Sequence, residues 1–229
     1  MKTKIAAAAM IFAIALPVFA QQKEADRLDN SSKVFMEITA DTSKGLPKSI
    51  VDKAECILIF PSVKKIAVGI GGSYGRGVLV CRTGEKMNGG WGAPAMYKLD
   101  EGSLGIQLGS TATDFVLLVM NQNGAKQILN GKTKLGANAA AAAGPTGADA
   151  QGYNADAMKV DVLTYSRSKG LFAGVSLTGA SMDGDADANK ALYGKPITPS
   201  EIVNGGAATP AAAKKLIDTL NSASPSRQS

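Results

Sequence analysis

Hydrophobic and polar positions along the chain change period several times, and the stretch from Ala54 to Pro94 carries the clearest pattern. It reads AECILIFPSVKKIAVGIGGSYGRGVLVCRTGEKMNGGWGAP. Short β-branched runs at Cys56–Phe60, Ile66–Ile70 and Val78–Cys81, bounded by Gly and Pro, predict strands rather than helices. Pro61 and the Lys64–Lys65 pair separate the first two runs. Gly71-Gly72-Ser73-Tyr74-Gly75 predicts a hairpin turn, because glycine adopts positive φ without strain. Glycine inside a strand marks a bulge, a barrel corner or close backbone approach. So many in one stretch predict an antiparallel sheet bent until it closes into a barrel or sandwich.

The remaining elements pack around that sheet. From Gln21 to Asp41 the apolar positions Ala25, Leu28, Phe35 and Ile38 follow helical spacing, with Lys23, Glu24, Asp26, Arg27 and Asp29 on a wet face. Asn30-Ser31 interrupts it and leaves room for a second start. The mixed charges favour a helix docked on the sheet over a membrane-surface helix, which would be rich in Lys and Arg. Pro47 opens a short helix through Ala54. Ala95–Leu99 and Leu104–Leu108 flank a hairpin turn at Asp100-Glu101-Gly102. Asp114–Asn121 lacks alternation, as a strand covered on both faces does. Asn123–Leu129 is a helix, and alanine-rich Leu135–Gly147 leans toward an extended strand. Met158–Tyr165 and Leu171–Leu177 are strands joined by a turn at Arg167–Gly170. Short helices follow at Asp185–Leu192, stopped by Gly194, and at Pro199–Val203. A helix over Thr209–Ala223 and a disordered tail, Ser224–Ser229, complete the chain. The fold class is α+β.

Composition adds compartment and excludes chemistry. The chain has 229 residues, is 45% hydrophobic, 19% charged and contains no histidine. Lys2 and Lys4 precede an apolar run, Ile5–Phe19, and Val18-Phe19-Ala20 resembles a cleavage site of the A-x-A kind. This predicts a signal peptide over residues 1–20, cut near Ala20, and an exported protein, periplasmic or secreted. One domain then spans residues 21–223. Losing the two leader lysines trims a formal charge of +6, a mild excess that permits anionic partners without demanding them. Cys56 and Cys81 both fall in predicted strands. In an exported protein they either form a disulfide or remain two buried thiols that never meet.

Without histidine there is no Ser/His/Asp triad and no His-built metal site. No glycine set satisfies G-x-G-x-x-G, and Lys126 stands where a Walker A loop ending at Gly131-Lys132-Thr133 needs glycine. Asp183-Gly184-Asp185-Ala186-Asp187 lacks the glycine and glutamate of a calcium loop, so capping the next helix is its better reading. An enzyme is not expected, and no cofactor is. Basic residues do gather at predicted turns and strand ends: Lys64, Lys65, Arg76, Arg82, Lys132, Lys134, Arg167 and Lys169. At one end of a sheet they would form a cationic rim for phosphate head groups, with Tyr74 and Trp91 shaping an apolar surface beside it. Nucleic acid is disfavoured by the modest charge and few aromatics.

Several segments together resemble the SYLF domain, a lipid-binding and actin-binding family. They are AECILIFPSVKKIAVGIGGSYGRGVLVCR, GGWGAPAMYKL, GSLGIQLGSTATDFVLLVMN, KLGANAAAAAGP, LTYSRSKGLFAGVSLTGA and DADANKALYG, from about Lys33 to Val203. The resemblance implies a glycine-rich antiparallel sheet or barrel with peripheral helices. It also implies phospholipid binding, with actin binding in eukaryotic members and export in bacterial ones. The expectation is a non-enzymatic module for anionic phospholipid at a membrane surface; the rival is a structural protein that binds an envelope protein partner.

Overall fold

The computed structural model describes residues 15–41, 45–66, 72–101, 112–146, 160–168 and 170–227. Nine strands form one curled sheet: β1 (Cys56–Ile66), β2 (Gly72–Cys81), β3 (Ala95–Glu101), β4 (Thr113–Val119), β5 (Thr133–Lys134), β6 (Ala141–Ala143), β7 (Val162–Ser168), β8 (Leu171–Gly174) and β9 (Ser181–Gly184). Their order is β5-β9-β3-β2-β1-β4-β7-β6, with β8 also on β7. Every pairing is antiparallel except β6 with β7. Helices α1 (Ala15–Ala40), α2 (Lys48–Val51), α3 (Gln122–Leu129), α4 (Ala186–Tyr193), α5 (Pro199–Glu201) and α6 (Lys214–Ala223) surround it.

The sheet is a half-barrel and does not close, contrary to the barrel or sandwich expected. Its end strands, β5 and β6, are two and three residues long and do not pair with each other. Ile57, Ile59, Val78, Val80, Val116 and Leu118 point to one face and pack under α1, α2, α4 and α6 through Leu28, Phe35, Ile50, Leu192, Leu216 and Leu220. Leu58, Phe60, Leu79, Tyr97, Phe115 and Leu117 point to the other, covered by Ile128 of α3 and by Leu135, Leu177, Ile197 and Ile202. β4 is therefore buried at every position, the reason its sequence does not alternate.

Where the strands differ from expectation, local backbone chemistry explains it. Pro61 does not end a strand; β1 runs through it by a bulge in which Ser62 takes φ 53° and donates its N–H to Asp114 (2.8 Å). Gly72–Gly75, expected in a turn, begins β2. A Cβ on Gly77 would stand 2.2 Å from the Ile59 carbonyl oxygen and 2.5 Å from the Phe60 ring, so glycine here serves close approach. Arg167 and Ser168 belong to β7, not to the turn. Leu104–Leu108 lies outside the described residues.

α1 is continuous through Asn30-Ser31. Ser31 and Ser32 are buried, and the Ser32 hydroxyl meets that of Thr219 on α6 at 2.9 Å. Small polar residues there let two helices approach rather than break one. Glu24 and Arg27, expected on the wet face, are buried as well. Asn189 of α4 exchanges hydrogen bonds with the Met96 backbone (2.7 and 3.1 Å), which fixes α4 on β3. Asp185 caps α4 by accepting from the Ala188 N–H, and Gly194 ends it at φ 73°. Ser224–Arg227, expected to be disordered, is held by side chains of the sheet end. No described helix is long and apolar enough to cross a membrane.

Candidate functional site

Strand register brings some of the expected basic rim together. Lys64 pairs with Tyr74, Tyr74 with Asp100, Asp100 with Ser181 and Ser181 with Lys134. One row across the sheet thus carries Lys64 and Lys134 on the same face, about 19 Å apart over four strand spacings. Asp100 stands between them, so the row alternates in charge. Lys64, Lys132 and Lys134 are exposed and form no ion pair among the described residues. Lys65 pairs with Ser73 in the backbone, and Lys169 lies outside the described residues.

Arg76 and Arg167 reach this end with their charges already engaged. Arg76 Nε donates to the Tyr74 hydroxyl (2.7 Å), and its guanidinium lies 3.3 Å from Asp185. Burial alone would lower the Arg76 pKa; the Tyr74 hydrogen bond and the Asp185 carboxylate outweigh it, and the net shift is upward. Asp185 also faces Arg27 of α1 at 3.6 Å, and Arg27 pairs with Glu24 at 2.9 Å. Desolvation raises the Glu24 pKa, with Arg27 opposing it. The Asp183–Asp187 run therefore contributes a cap and a buried ion network joining α1, β2 and α4. Arg167 grips Asp114 through Nε (2.8 Å) and Nη2 (2.7 Å) and also pairs with Glu37.

Arg82 and Trp91 do not join this end. They bridge each other at the opposite end of β2, both buried, with the guanidinium 4.3 Å from the indole centroid. Arg82 donates to the carbonyls of Ala54 and Pro225 and to the Ser224 hydroxyl. Desolvation first, then the neighbouring Arg227, pull its pKa down to about 10. Beside them Cys56 and Cys81, directly opposed in the β1–β2 register, are joined as a disulfide.

A feature the sequence reading missed lies on the helical side. The C-terminal half of α1 and the α6 region enclose a groove of about 810 Å³. Met36, Ala40, Ala211 and Ala223 supply its apolar lining, and Met36 is 42% exposed. Most polar groups around it are bonded within the chain. Thr39 donates to the Phe35 carbonyl (2.8 Å), Thr219 to that of Lys215 (2.7 Å), Lys214 pairs with Asp218 and Lys215 with Asp29. Met36 stands outside the apolar spacing of α1, and an apolar residue on a wet face was the available sign.

The family model described as Ysc84, Las17-binding protein actin regulator, matches residues 100–223. An SH3 domain-containing protein of Schizosaccharomyces pombe is 36% identical over 188 residues, covering 80% of this chain and 43% of that protein. LAS seventeen-binding protein 3 of Saccharomyces cerevisiae is 33% identical, over 77% of this chain and 38% of that protein. SH3 domain-containing YSC84-like protein 1 of Homo sapiens is 30% identical, over 84% and 57%. The chain spans between about two fifths and somewhat over half of these relatives. With the family model matched over more than half its length, the chain belongs to the Ysc84 family.

Proposed function

We propose that this chain is a non-enzymatic protein-binding domain that seats a partner of the actin-regulating machinery in the groove between α1 and α6. The groove carries the reading. The Thr39 and Thr219 hydroxyls and the flanking charges are bonded within the chain, which leaves Met36 and alanines as the apolar surface a partner would bury, and methionine adapts to irregular apolar contacts. The family's description as an actin regulator and a relative's name as a Las17-binding protein support a protein partner of this kind. Co-sedimentation with filamentous actin is the test. Met36→Glu should weaken binding at least about tenfold, or about 1.4 kcal/mol, with an unchanged circular dichroism spectrum. Binding unaffected by Met36→Glu would remove the groove, and wild-type protein left in the supernatant would remove actin.

A second reading, anionic phospholipid, is favoured by Lys64 and Lys134 standing exposed on one row of the sheet. Lys64→Glu with Lys134→Glu should then abolish salt-sensitive sedimentation with anionic vesicles. Arg76 is a poor choice for such a test because its charge holds Asp185. Export after cleavage near Ala20 belongs to the same proposal, and mass spectrometry of the mature amino terminus checks it.

A further inference from the structure

Four residues after α6 are received as a ligand is received. Trp91 Nε1 donates to the Ser224 carbonyl (2.9 Å), and Arg82 donates to the Ser224 hydroxyl (2.6 Å) and the Pro225 carbonyl (2.8 Å). The Arg227 N–H donates to the Asn88 carbonyl (2.8 Å). Its guanidinium then donates to the carbonyls of Asp52 (2.8 Å) and Ala54 (2.5 Å) and meets Glu55 Oε1 at 3.2 Å. Ser226 is exposed and makes none of these contacts.

Part of the receiving surface is held without the tail. Arg82 is tied to the Ala54 and Gly89 carbonyls and stacks on Trp91. Glu55, mostly buried, keeps its other oxygen, Oε2, without a hydrogen bond. A mostly buried carboxylate beside the Asp52 carbonyl and the Ala54 carbonyl, which Arg82 Nε shares, selects a cation, and a guanidinium fork matches that set better than a point-charge ammonium. Two donors upstream select a carbonyl–hydroxyl pair at the serine.

We propose that this surface is a peptide-recognition site for a short Ser-Pro-x-Arg segment, and that residues 224–227 are its occupant in cis. Tethering gives the cis segment an effective concentration in the millimolar range, so a partner's segment of the same chemistry enters only when the Arg227 contacts are lost. The site uses neither the α1–α6 groove nor the Lys64 row, and its readout needs no protein partner. Its failure and that of the proposed function are therefore told apart.

Trp91 is the chain's single tryptophan and reports the site directly. In the full chain, Arg227→Glu places two carboxylates together and should move tryptophan emission to longer wavelength. An acetylated peptide of sequence ASPSRQS should then restore the emission saturably. The same peptide with glutamate for arginine should bind at least tenfold more weakly, and neither should affect the wild-type chain. Wild-type emission in Arg227→Glu, equal response to the two peptides, or no response would each overturn the proposal. Should far-UV circular dichroism show Arg227→Glu unfolded, Arg227→Lys keeps the charge while losing the fork, and the same titration decides.

Discussion

Arg82 is a cation inside an apolar cluster, and its stability depends on the acceptors that surround it. Its neighbours are carbonyls and a serine hydroxyl, which desolvate it without a touching carboxylate and so depress its pKa. Truncation would leave those acceptors unsatisfied and uncover Trp91. Arg82→Ala should therefore cost about 3 kcal/mol or more, read as a lower urea midpoint. Glu24 gives the opposite experiment. Its folded pKa is raised above the ordinary 4.5 by burial, against Arg27 on its own helix, with Asp185 and Arg76 facing it from the α4 cap and β2. The native state thus binds more protons than the unfolded chain just above pH 4.5. Stability from protonated Glu24 is fully present below that pH and lost as pH rises through the folded value. Glu24→Gln should match the wild type below this window and become the more stable of the two above it. Parallel curves in urea unfolding across pH would show that Glu24 is not the group responsible.

At the scale of elements, β1 and β2 carry the sheet, and two features bind them. The disulfide closes a separation of 25 residues, worth roughly 3 kcal/mol by chain entropy. Replacing both cysteines with alanine should lower stability by about that much and leave the fold intact by circular dichroism. Gly77 meets a backbone oxygen that cannot swing away, so Gly77→Ala should cost about 3 kcal/mol through overpacking and raise the unfolding rate. The glycine cluster was legible as a site of close approach, because residue type alone reports missing Cβ atoms. Its assignment to a turn failed because the Ser62 bulge lets one strand run through Pro61, and a bulge has no fixed sequence period. β5 and β9, of two and four residues, are too short to show alternation. The strands of four or more apolar residues and the helix caps at Asp185 and Gly194 were legible, since those types act locally. Glu24 and Arg27 were misplaced on a wet face because their partners, Asp185 and Arg76, come from distant segments. The same holds for Arg82, whose acceptors in the tail are 142 and 143 residues away.

For the whole molecule, an open half-barrel whose described edge strands, β5, β6 and β8, are two, three and four residues long offers little backbone for strand addition by a partner. Binding then falls to the helical side and the sheet ends, and α1 decides whether that side is complete. Within the described side chains of α1, the buried positions begin at Glu24 and continue through Arg27, Leu28, Ser31, Ser32, Val34, Phe35 and Ile38. Cleavage near Ala20 would cut α1 and keep the buried positions from Glu24 to Ile38. A chain starting at Gln21 keeps every one of these buried positions and should retain a cooperative urea transition. A chain starting at Lys33 loses Leu28 from the core and leaves Asp185 with Arg76 alone from the network. Burial of Leu28 alone is worth about 2 to 5 kcal/mol, so this shorter chain should unfold at much lower urea. It should also lose the α1–α6 contact through Ser32 and, if the proposed function holds, sediment less with filamentous actin. Equal midpoints for the two shortened chains would show that the first half of α1 is a passenger, and the groove would then have to be held open by α6 and the sheet alone.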